Sequence, residues 1–244
     1  KHQEQVLDVF GGDVALWEAV NEPAHANIVG LSRAQMGDLM ARAADTLRAA
    51  DKPVLVNSPP EFAYGSQYLI HTTDNQPLDP FAQSFGAFLD GAEAAGQLDA
   101  IDAIGLQFYP GFHFNAQFQN LQGPAQTPAH VRDTLVRFAE YGRDVHITEF
   151  SLPSYYGDGW YCGYWRQPWD EATQADYTEH VVTMALALPE VTSFTWWDIT
   201  DRDSAVLGGG MVRADGTAKP VFRRMEALIA AWGDAPAEAP GAAE

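Results

Sequence analysis

The interpretation of this chain depends on two short segments, Trp17-Glu18-Ala19-Val20-Asn21-Glu22-Pro23 and Val145-His146-Ile147-Thr148-Glu149-Phe150. Each is a mostly apolar run that leads into a glutamate, which is typical of a buried strand with the glutamate at its C-terminal end. In a parallel α/β barrel these strand ends form the active-site face. We therefore expect Glu22 and Glu149 to face each other across the mouth of a barrel.

Two carboxylic acids that face each other meet the chemical requirement of glycoside hydrolysis. One acid protonates the leaving oxygen, while the other attacks the sugar or activates a water molecule. A single glutamate at a strand end is usually a solvated surface group. The prediction of a hydrolytic site therefore rests on the pair.

The composition favours one domain and an uncharged partner. The 244 residues are 46% hydrophobic, which is enough for one core, and the net charge is −19 with a pI of about 4.5. This acidity argues against a nucleic-acid partner, because such binding depends on neutralising phosphates, and mildly against polyanionic polysaccharides. No run of about 18 apolar residues is present, so we expect no membrane-spanning helix. The single cysteine cannot form a disulfide within the chain.

Apolar runs alternate with amphipathic segments along the chain, which favours an α/β fold with a parallel sheet. The predicted strands are Val14 to Val20, Pro53 to Asn57, Ala100 to Phe108, Asp144 to Glu149 and Thr192 to Ile199. The predicted helices are Gln3 to Phe10, Ser32 to Ala50, Phe81 to Ala95, Ala129 to Tyr141, Glu171 to Leu188 and Lys219 to Trp232. Ser32 and Gln35 have the spacing of a capping box.

Five strands are too few to close an eight-stranded barrel. The chain also begins within its first predicted helix without a capping residue, so we expect about three βα units, on the order of 100 residues, to be missing upstream. A complete five-stranded open sheet is the alternative. We assign residues 1–232 to the C-terminal part of the barrel and the Ala/Pro/Glu/Gly-rich residues 233–244 to a disordered tail or linker.

Several motifs, taken in order, resemble the C-terminal part of glycoside hydrolase family 10, the xylanase family. Asn21-Glu22 is similar to the Asn-Glu pair that follows the fourth barrel strand in this clan of retaining glycosidases, and His146-Ile147-Thr148-Glu149 to the family's nucleophile strand. The other similar segments are Ile104 to Gln107, Phe194 to Asp201 and Gly216 to Phe222. The resemblance implies a (β/α)8 TIM barrel, of which this chain supplies about the last five βα units.

The resemblance also implies roles for individual residues. Glu22 is the expected acid/base and Glu149 the expected nucleophile, which forms a glycosyl-enzyme ester. Asn21 is expected to hydrogen-bond the 2-hydroxyl of the sugar, and Gln107, on a neighbouring strand, to orient Glu149. Tyr109 stands where the family usually has histidine, and a tyrosine can donate the same hydrogen bond to the nucleophile.

Three further kinds of substrate contact are predicted. His146 is a candidate by resemblance, although period-two alternation puts it on the opposite face of the strand from Glu149. Of the adjacent Trp196 and Trp197, only one can face the mouth, and we favour Trp197. The loop after Glu149 is rich in aromatic residues that can stack on sugar rings, including Trp160 and Trp165, and a self-packed lid is the alternative.

The predicted function is that of a retaining endo-β-glycanase that hydrolyses a β-1,4-linked polysaccharide, with xylan favoured. The alternatives are another retaining clan member (a β-glucanase, mannanase or β-glycosidase) and a non-catalytic carbohydrate-binding barrel. No metal or organic cofactor is implied, because the aspartates at 198, 201 and 203 lack the glycine and distal glutamate of a calcium loop. A polymer substrate suggests a secreted or periplasmic protein.

Overall fold

The computed structural model describes residues 2–24, 31–60, 85–111, 127–155, 164–202 and 204–233. The helices are α1 (His2–Phe10), α2 (Arg33–Arg48), α3 (Phe85–Ala94), α4 (Pro128–Ala139), α5 (Glu171–Ala185) and α6 (Pro220–Gly233). The strands are β1 (Trp17–Asn21), β2 (Val54–Ser58), β3 (Ala103–Phe108), β4 (Asp144–Phe150), β5 (Tyr164–Trp165), β6 (Gln167–Pro168) and β7 (Val191–Trp196). The predicted tail began at Gly233, which is instead the last residue of α6; residues 234–244 lie outside the described residues.

Five of the strands form one parallel sheet in the order β1-β2-β3-β4-β7. Helices separate successive strands of this sheet, as parallel connections require. Strands β5 and β6 form a separate antiparallel pair. The predicted α/β fold with a parallel sheet is confirmed, and all five predicted strands are present.

One face of the sheet is apolar and covered by helices. Val56, Ile104 and Ile147, on three neighbouring strands, belong to the same buried cluster as Met40 of α2 and Phe138 of α4. All five side chains are fully buried. Burial of this face, which we call the outer face, supplies the hydrophobic core of the described structure.

The opposite face of the sheet, the inner face, is polar. Asn57 of β2 and Gln107 of β3 occupy the alternate positions of their strands, and both are 1% exposed. Buried side-chain amides need hydrogen-bond partners. Their partners are the carboxylate and amide groups described below.

An extra residue in β4 changes which side chains share the inner face. Gly105 pairs with His146 and Gln107 pairs with Glu149, so β4 uses three steps where β3 uses two. The extra residue, Thr148, forms a β-bulge. Because Gly105 and Gln107 face the same way, His146 and Glu149 also do. The expectation that they lie on opposite faces is therefore wrong, because the bulge shifts the alternation by one residue.

Strand β1 contains a similar irregularity. Glu18 pairs with Leu55 and Asn21 pairs with Asn57, so three steps on β1 match two on β2. Glu18 and Asn21 consequently share the inner face, although plain alternation separates them.

The ends of several elements differ from the sequence-based bounds. Strand β1 begins at Trp17 and not at Val14, because Val14 N–H still donates to Phe10 O (3.2 Å) in the turn after α1. Strand β3 begins later than predicted because residues 98–100 form a 3₁₀ turn. Strand β7 ends at Trp196, two residues before Asp198 turns the chain with φ of 64°.

The capping box at α2 is confirmed. The Ser32 hydroxyl accepts from Gln35 N–H (3.3 Å), and the Gln35 side chain accepts from Ser32 N–H (2.8 Å). These reciprocal bonds satisfy two of the backbone donors that a helix start leaves unpaired.

A buried lysine ties together the segments that follow β4 and β7. Lys219, 1% exposed, donates to Asp201 Oδ1 (2.6 Å), Gly208 O (2.7 Å) and Ser154 Oγ (3.0 Å). Three ammonium hydrogens thus meet three acceptors, which offsets the cost of burying the charge. The lysine holds both segments next to the C-terminal end of β4.

Candidate active site

Glu22 follows directly after β1 in an uncommon backbone conformation. Its φ is 51°, in the left-handed region that few non-glycine residues adopt. Its N–H donates to Asn57 O (2.7 Å), which fixes the end of β1 against β2. Strained residues of this kind cluster at functional sites.

Glu149 near the end of β4 receives hydrogen bonds from three side chains on neighbouring segments. Its Oε1 accepts from Gln107 Nε2 (3.1 Å) and Asn57 Nδ2 (3.4 Å). Its Oε2 accepts from the hydroxyl of Tyr109. The predicted partners Gln107 and Tyr109 both reach Glu149, whose orientation is therefore fixed on both oxygens.

Asn21 shares two of these donors. Its Oδ1 accepts from Asn57 Nδ2 (3.0 Å) and from Gln107 Nε2 (3.1 Å). Because both bonds use the carbonyl oxygen, the NH2 group of Asn21 is the part of the amide that can donate to a ligand.

The site is acidic and partly shielded from water. Burial raises the pKa of the Glu149 carboxyl; hydrogen bonds from Tyr109 and Asn57 lower it, and the charges of Glu22 and Asp198 raise it again. Those charges act on Glu149 because Glu22 and Asp198 follow the strands β1 and β7 at the same end of the sheet. A carboxyl pair whose charges interact in this way is typical of acid/base sites.

Two residues of this network were not predicted as site residues. Glu18 is exposed on the edge strand β1. Even so, loss of water around its carboxyl raises its pKa, and the charges of Glu149 and Glu22 raise that pKa further. A hydrogen bond from Asn57 lowers it. Asn57 was visible only as a polar residue ending an apolar strand. The bulge in β1 hid Glu18, since alternation gives no reason to place it beside Asn21.

The two adjacent tryptophans after β7 have different surroundings. Trp196 packs edge-on against Phe150, with ring centroids 5.7 Å apart, and its indole N–H donates to Gly209 O (3.0 Å). Trp197 is 42% exposed and precedes Asp198. Trp197 is thus the one available to a ligand.

Trp165 lies in a different place from the sugar-stacking surface expected of it. It is 8% exposed, packs edge-on against Tyr177 (centroids 5.1 Å apart), and has the Arg166 guanidinium over its ring at 4.2 Å. Trp169 packs on the same Tyr177. Here the self-packed alternative corrects the prediction, because these rings bury themselves on α5. Trp160 lies outside the described residues.

His146 lies on the inner face, but its hydrogen bonds in the described part of the chain go to β7. Its imidazole contacts Ser193 Oγ (2.7 Å, Nδ1) and Thr192 Oγ1 (3.0 Å, Nε2). Burial lowers the pKa of His146, while the charge of Asp144 raises it. These contacts support a role for His146 in bracing β4 against β7.

The described residues contain no cluster of three or more His, Cys, Asp or Glu side chains arranged to hold a metal ion. Among the described helices, none is long and apolar enough to cross a membrane.

The comparison with protein families gives one match. The model of glycosyl hydrolase family 10 matches residues 92–226. The chain belongs to glycosyl hydrolase family 10. The match includes Gln107, Tyr109 and Glu149, whereas Asn21 and Glu22 precede it. No curated protein sequence matches this chain.

Similar solved structures include two xylanases. Xylanase 10B from Thermotoga petrophila RKU-1, in complex with xylobiose, has a TM-score of 0.61 at 17% identity. The match covers 95% of this chain and 64% of that xylanase. Native xylanase 10B from Thermotoga maritima has a TM-score of 0.61 at 18% identity; the match covers 95% of this chain and 65% of that xylanase. The β-D-glucuronidase of Dictyoglomus thermophilum has a TM-score of 0.54 at 14% identity; the match covers 91% of this chain and 32% of the glucuronidase.

At these identities the similarity establishes the fold alone. The chain spans less than two thirds of the length of the xylanases that it matches. The family match and these structures confirm the predicted fold, a part of a (β/α)8 barrel that contributes five parallel strands in the described residues. The chain is accordingly a glycoside hydrolase by family.

Proposed function

We propose that this chain carries the catalytic pair of a retaining endo-β-1,4-glycanase that acts on xylan. The observation that carries the proposal is the set of three donors on Glu149. Gln107, Asn57 and Tyr109 hold both of its oxygens, and the charge of Glu22 acts on it from the end of β1. A side chain held this firmly beside a second carboxyl group suits a nucleophile.

In the first step a Glu149 oxygen forms a bond to the anomeric carbon. The bond from that carbon to the leaving oxygen breaks, and Glu22 gives its proton to that oxygen. The product is a glycosyl ester on Glu149. Hydrogen bonds on Glu149 hold the carboxylate in the attacking position, so little reorganisation is needed at the moment of reaction.

In the second step Glu22, now ionised, takes a proton from water. The water oxygen attacks the anomeric carbon, the ester bond breaks, and Glu149 returns to its carboxylate form. The Asn21 NH2 group donates to the sugar 2-hydroxyl, a contact that strengthens in the oxocarbenium-like transition state. The carbonyl oxygen of Asn21 already accepts from Asn57 and Gln107, so the amide is oriented with its NH2 group available to the sugar.

Xylan is the favoured polymer for three reasons. The family is that of xylanases by resemblance, and the similar structure from Thermotoga petrophila binds xylobiose. The net charge of −19 also disfavours uronic-acid polymers through repulsion. Hydrolysis of an extracellular polymer favours export of the protein, which stays a prediction.

The test of the substrate compares four polymers. Reducing ends released from xylan, cellulose, mannan and polygalacturonate are measured side by side with the complete polypeptide. We expect the fastest release from xylan. Faster release from mannan or cellulose means that the substrate is that of another member of the clan. Activity on polygalacturonate alone contradicts the charge argument.

The test of the mechanism follows the anomeric configuration by proton NMR during hydrolysis. We expect the β-configured product to form first, because two displacements retain configuration. An α-configured first product contradicts the double-displacement mechanism.

A further inference from the structure

Asn57 occupies a central position between the two halves of the site. Its side chain is 1% exposed, and its Nδ2 lies within 3.5 Å of three acceptors, namely Asn21 Oδ1 (3.0 Å), Glu149 Oε1 (3.4 Å) and Glu18 Oε1 (3.5 Å). An amide NH2 group has two hydrogens. Because three acceptors compete for two hydrogens, the orientation of this amide affects both Asn21 and Glu149.

The other end of the Asn57 amide is held by Thr148. The Thr148 hydroxyl lies 2.6 Å from Asn57 Oδ1 and 3.2 Å from Leu106 O, and its single hydrogen therefore favours Asn57. If the amide were reversed, its carbonyl oxygen would face the acceptor oxygens of Asn21 and Glu149. The acceptor oxygens of Asn21 and Glu149 therefore set the orientation in which Asn57 donates to both, and the Thr148 hydroxyl anchors the amide there by donating to Oδ1.

The strand between them makes room for this contact. A Cβ added at Gly105 would come within 2.7 Å of Thr148 Cγ2 and 3.0 Å of Asn57 Cβ. Thr148 is also the extra residue of the β4 bulge, and without a bulge its neighbour Glu149 would face away from Gln107. The bulge, the glycine and the hydroxyl are therefore parts of one arrangement.

We propose that Thr148 and Asn57 form a positioning pair that holds the nucleophile Glu149 and the 2-hydroxyl-binding Asn21 in register with each other. This inference rests on the proposed function. The Thr148 hydroxyl anchors the Asn57 amide, and the amide then orients both Asn21 and Glu149. Thr148 contacts neither Glu149 nor Asn21 through its hydroxyl, and Asn57 acts through its hydrogen bonds to both of them.

The pair has a consequence that a purely structural role lacks. Loss of the Thr148 hydroxyl removes this donor from Asn57 Oδ1, so the amide is held less firmly, its bond to Asn21 weakens, and Asn21 presents its NH2 group to the 2-hydroxyl less firmly. The rate loss is therefore larger for a substrate that has a 2-hydroxyl than for one that lacks it. General destabilisation slows both substrates equally.

The experiment compares an aryl β-xylobioside with its 2-deoxy counterpart in the complete polypeptide. We expect Thr148→Val to lower kcat/KM for the ordinary substrate roughly 10- to 100-fold, the range found when an outer partner of a functional ligand is removed. For the 2-deoxy substrate we expect a clearly smaller loss, since the Asn21 contact is already absent and only the weaker hold on Glu149 slows the reaction. Thr148→Ser keeps a hydroxyl and restores most of the activity.

The pH profile provides a second readout. The Asn57 hydrogen bond lowers the pKa of Glu149, which Glu18, Glu22 and Asp198 face with like charges and Tyr109 with a donor. Thr148→Val weakens the Asn57 bond, so the acid limb of kcat/KM moves to higher pH.

Thr134→Val is the matched control. Thr134 is a buried threonine of α4 whose hydroxyl donates to His130 O (2.9 Å), away from the site. We expect it to leave the ratio between the two substrates unchanged. If Thr148→Val does not fold, Asn57→Leu has nearly the same shape, carries neither a donor nor a charge, and is expected to change the ratio between the two substrates in the same direction.

Two outcomes overturn the inference. Equal losses on both substrates, or Thr148→Val activity within about twofold of wild type, refute the pair while the proposed function stands. A wild-type protein that hydrolyses no β-glycoside refutes the proposed function, and the inference with it.

Discussion

The two faces of the parallel sheet are built from residues of the same strands, but the outer face forms the hydrophobic core and the inner face carries the candidate site. On the outer face, Ile104 and Ile147 pack under helices and make no polar contact through their side chains. On the inner face, Gln107 and Glu149 of the same two strands belong to a hydrogen-bonded network. The comparison teaches that stability and chemistry are separated by the alternation of strand side chains, with bulges correcting that alternation where the chemistry requires it.

If this separation is correct, substitutions on the two faces give opposite results. Outer-face substitutions lower the free energy of unfolding and leave the pH profile unchanged. Inner-face substitutions change rates and pH profiles at little cost to stability. Four changes test this contrast, from the largest expected effect to the smallest.

Removal of Glu149, the proposed nucleophile, has the largest expected effect. Glu149→Ala lowers kcat by at least about 10⁴-fold, the scale seen when a nucleophile is removed elsewhere, because no ester can form. Added azide fills the space of the lost carboxylate and restores part of the turnover as the inverted glycosyl azide. The measurement is the rate on an aryl β-xylobioside with and without azide.

Glu22→Ala serves as the comparison for this variant. Without the base that activates water, it accumulates the glycosyl ester when the leaving group is good. Near-wild-type activity in both variants would mean that the site lies elsewhere and that the inner face is merely polar.

Truncation on the outer face has the next largest effect. Ile104→Ala removes a fully buried side chain and is expected to lower the free energy of unfolding by about 2–5 kcal/mol. The measurement is urea unfolding. Thr195→Ala, exposed on β7, is the control and is expected to change stability by no more than about 0.5 kcal/mol. Equal losses from the two variants would contradict the division between faces.

Loss of one hydrogen bond to the nucleophile has a smaller effect. Tyr109→Phe removes the hydroxyl that donates to Glu149 Oε2 and is expected to slow the reaction roughly 10- to 100-fold, as for a bond to a charged group. Because that bond lowers the pKa of Glu149, the acid limb of kcat/KM moves to higher pH. An unchanged pH profile would show that Tyr109 does not act on Glu149.

The smallest effect concerns Glu18. Its pKa is raised in the folded state by loss of water, so its ionised form is disfavoured by folding. Glu18→Gln keeps the acceptor for Asn57 and removes this penalty. The variant is therefore more stable than wild type at neutral pH, and the difference disappears below the ordinary glutamate range, about pH 4. Urea unfolding at both pH values measures it, and a variant less stable at neutral pH would contradict the assignment.

The sequence was sufficient to locate the two carboxyl groups and most of the elements that hold them. Glu22 and Glu149 end apolar runs, and Ser32 with Gln35 marks a helix start, because both signals lie within a few consecutive residues. Gln107 and Tyr109 were predicted to act on Glu149 from the family resemblance, and both side chains donate to its carboxylate. These predictions depend on apolar runs and short motifs of consecutive residues.

Predictions failed where the answer depends on contacts between distant segments. Trp165 belongs to a loop rich in aromatic residues, and only the position of Tyr177 on α5 shows that its ring is covered. His146 was placed on the wrong face because an inserted residue in β4 can be recognised only against the register of β3.

The sequence by itself determined the alternation of strands and helices, the family resemblance and the two glutamates that we propose as the catalytic pair. Hydrophobic periodicity and short motifs are properties of consecutive residues, so they can be read along the chain. Only the tertiary structure decided that Glu18, Asn57 and Thr148 join the site. Their membership depends on strand register and on two bulges, which are set by pairing between segments up to 92 residues apart, as the Asn57 to Glu149 hydrogen bond shows.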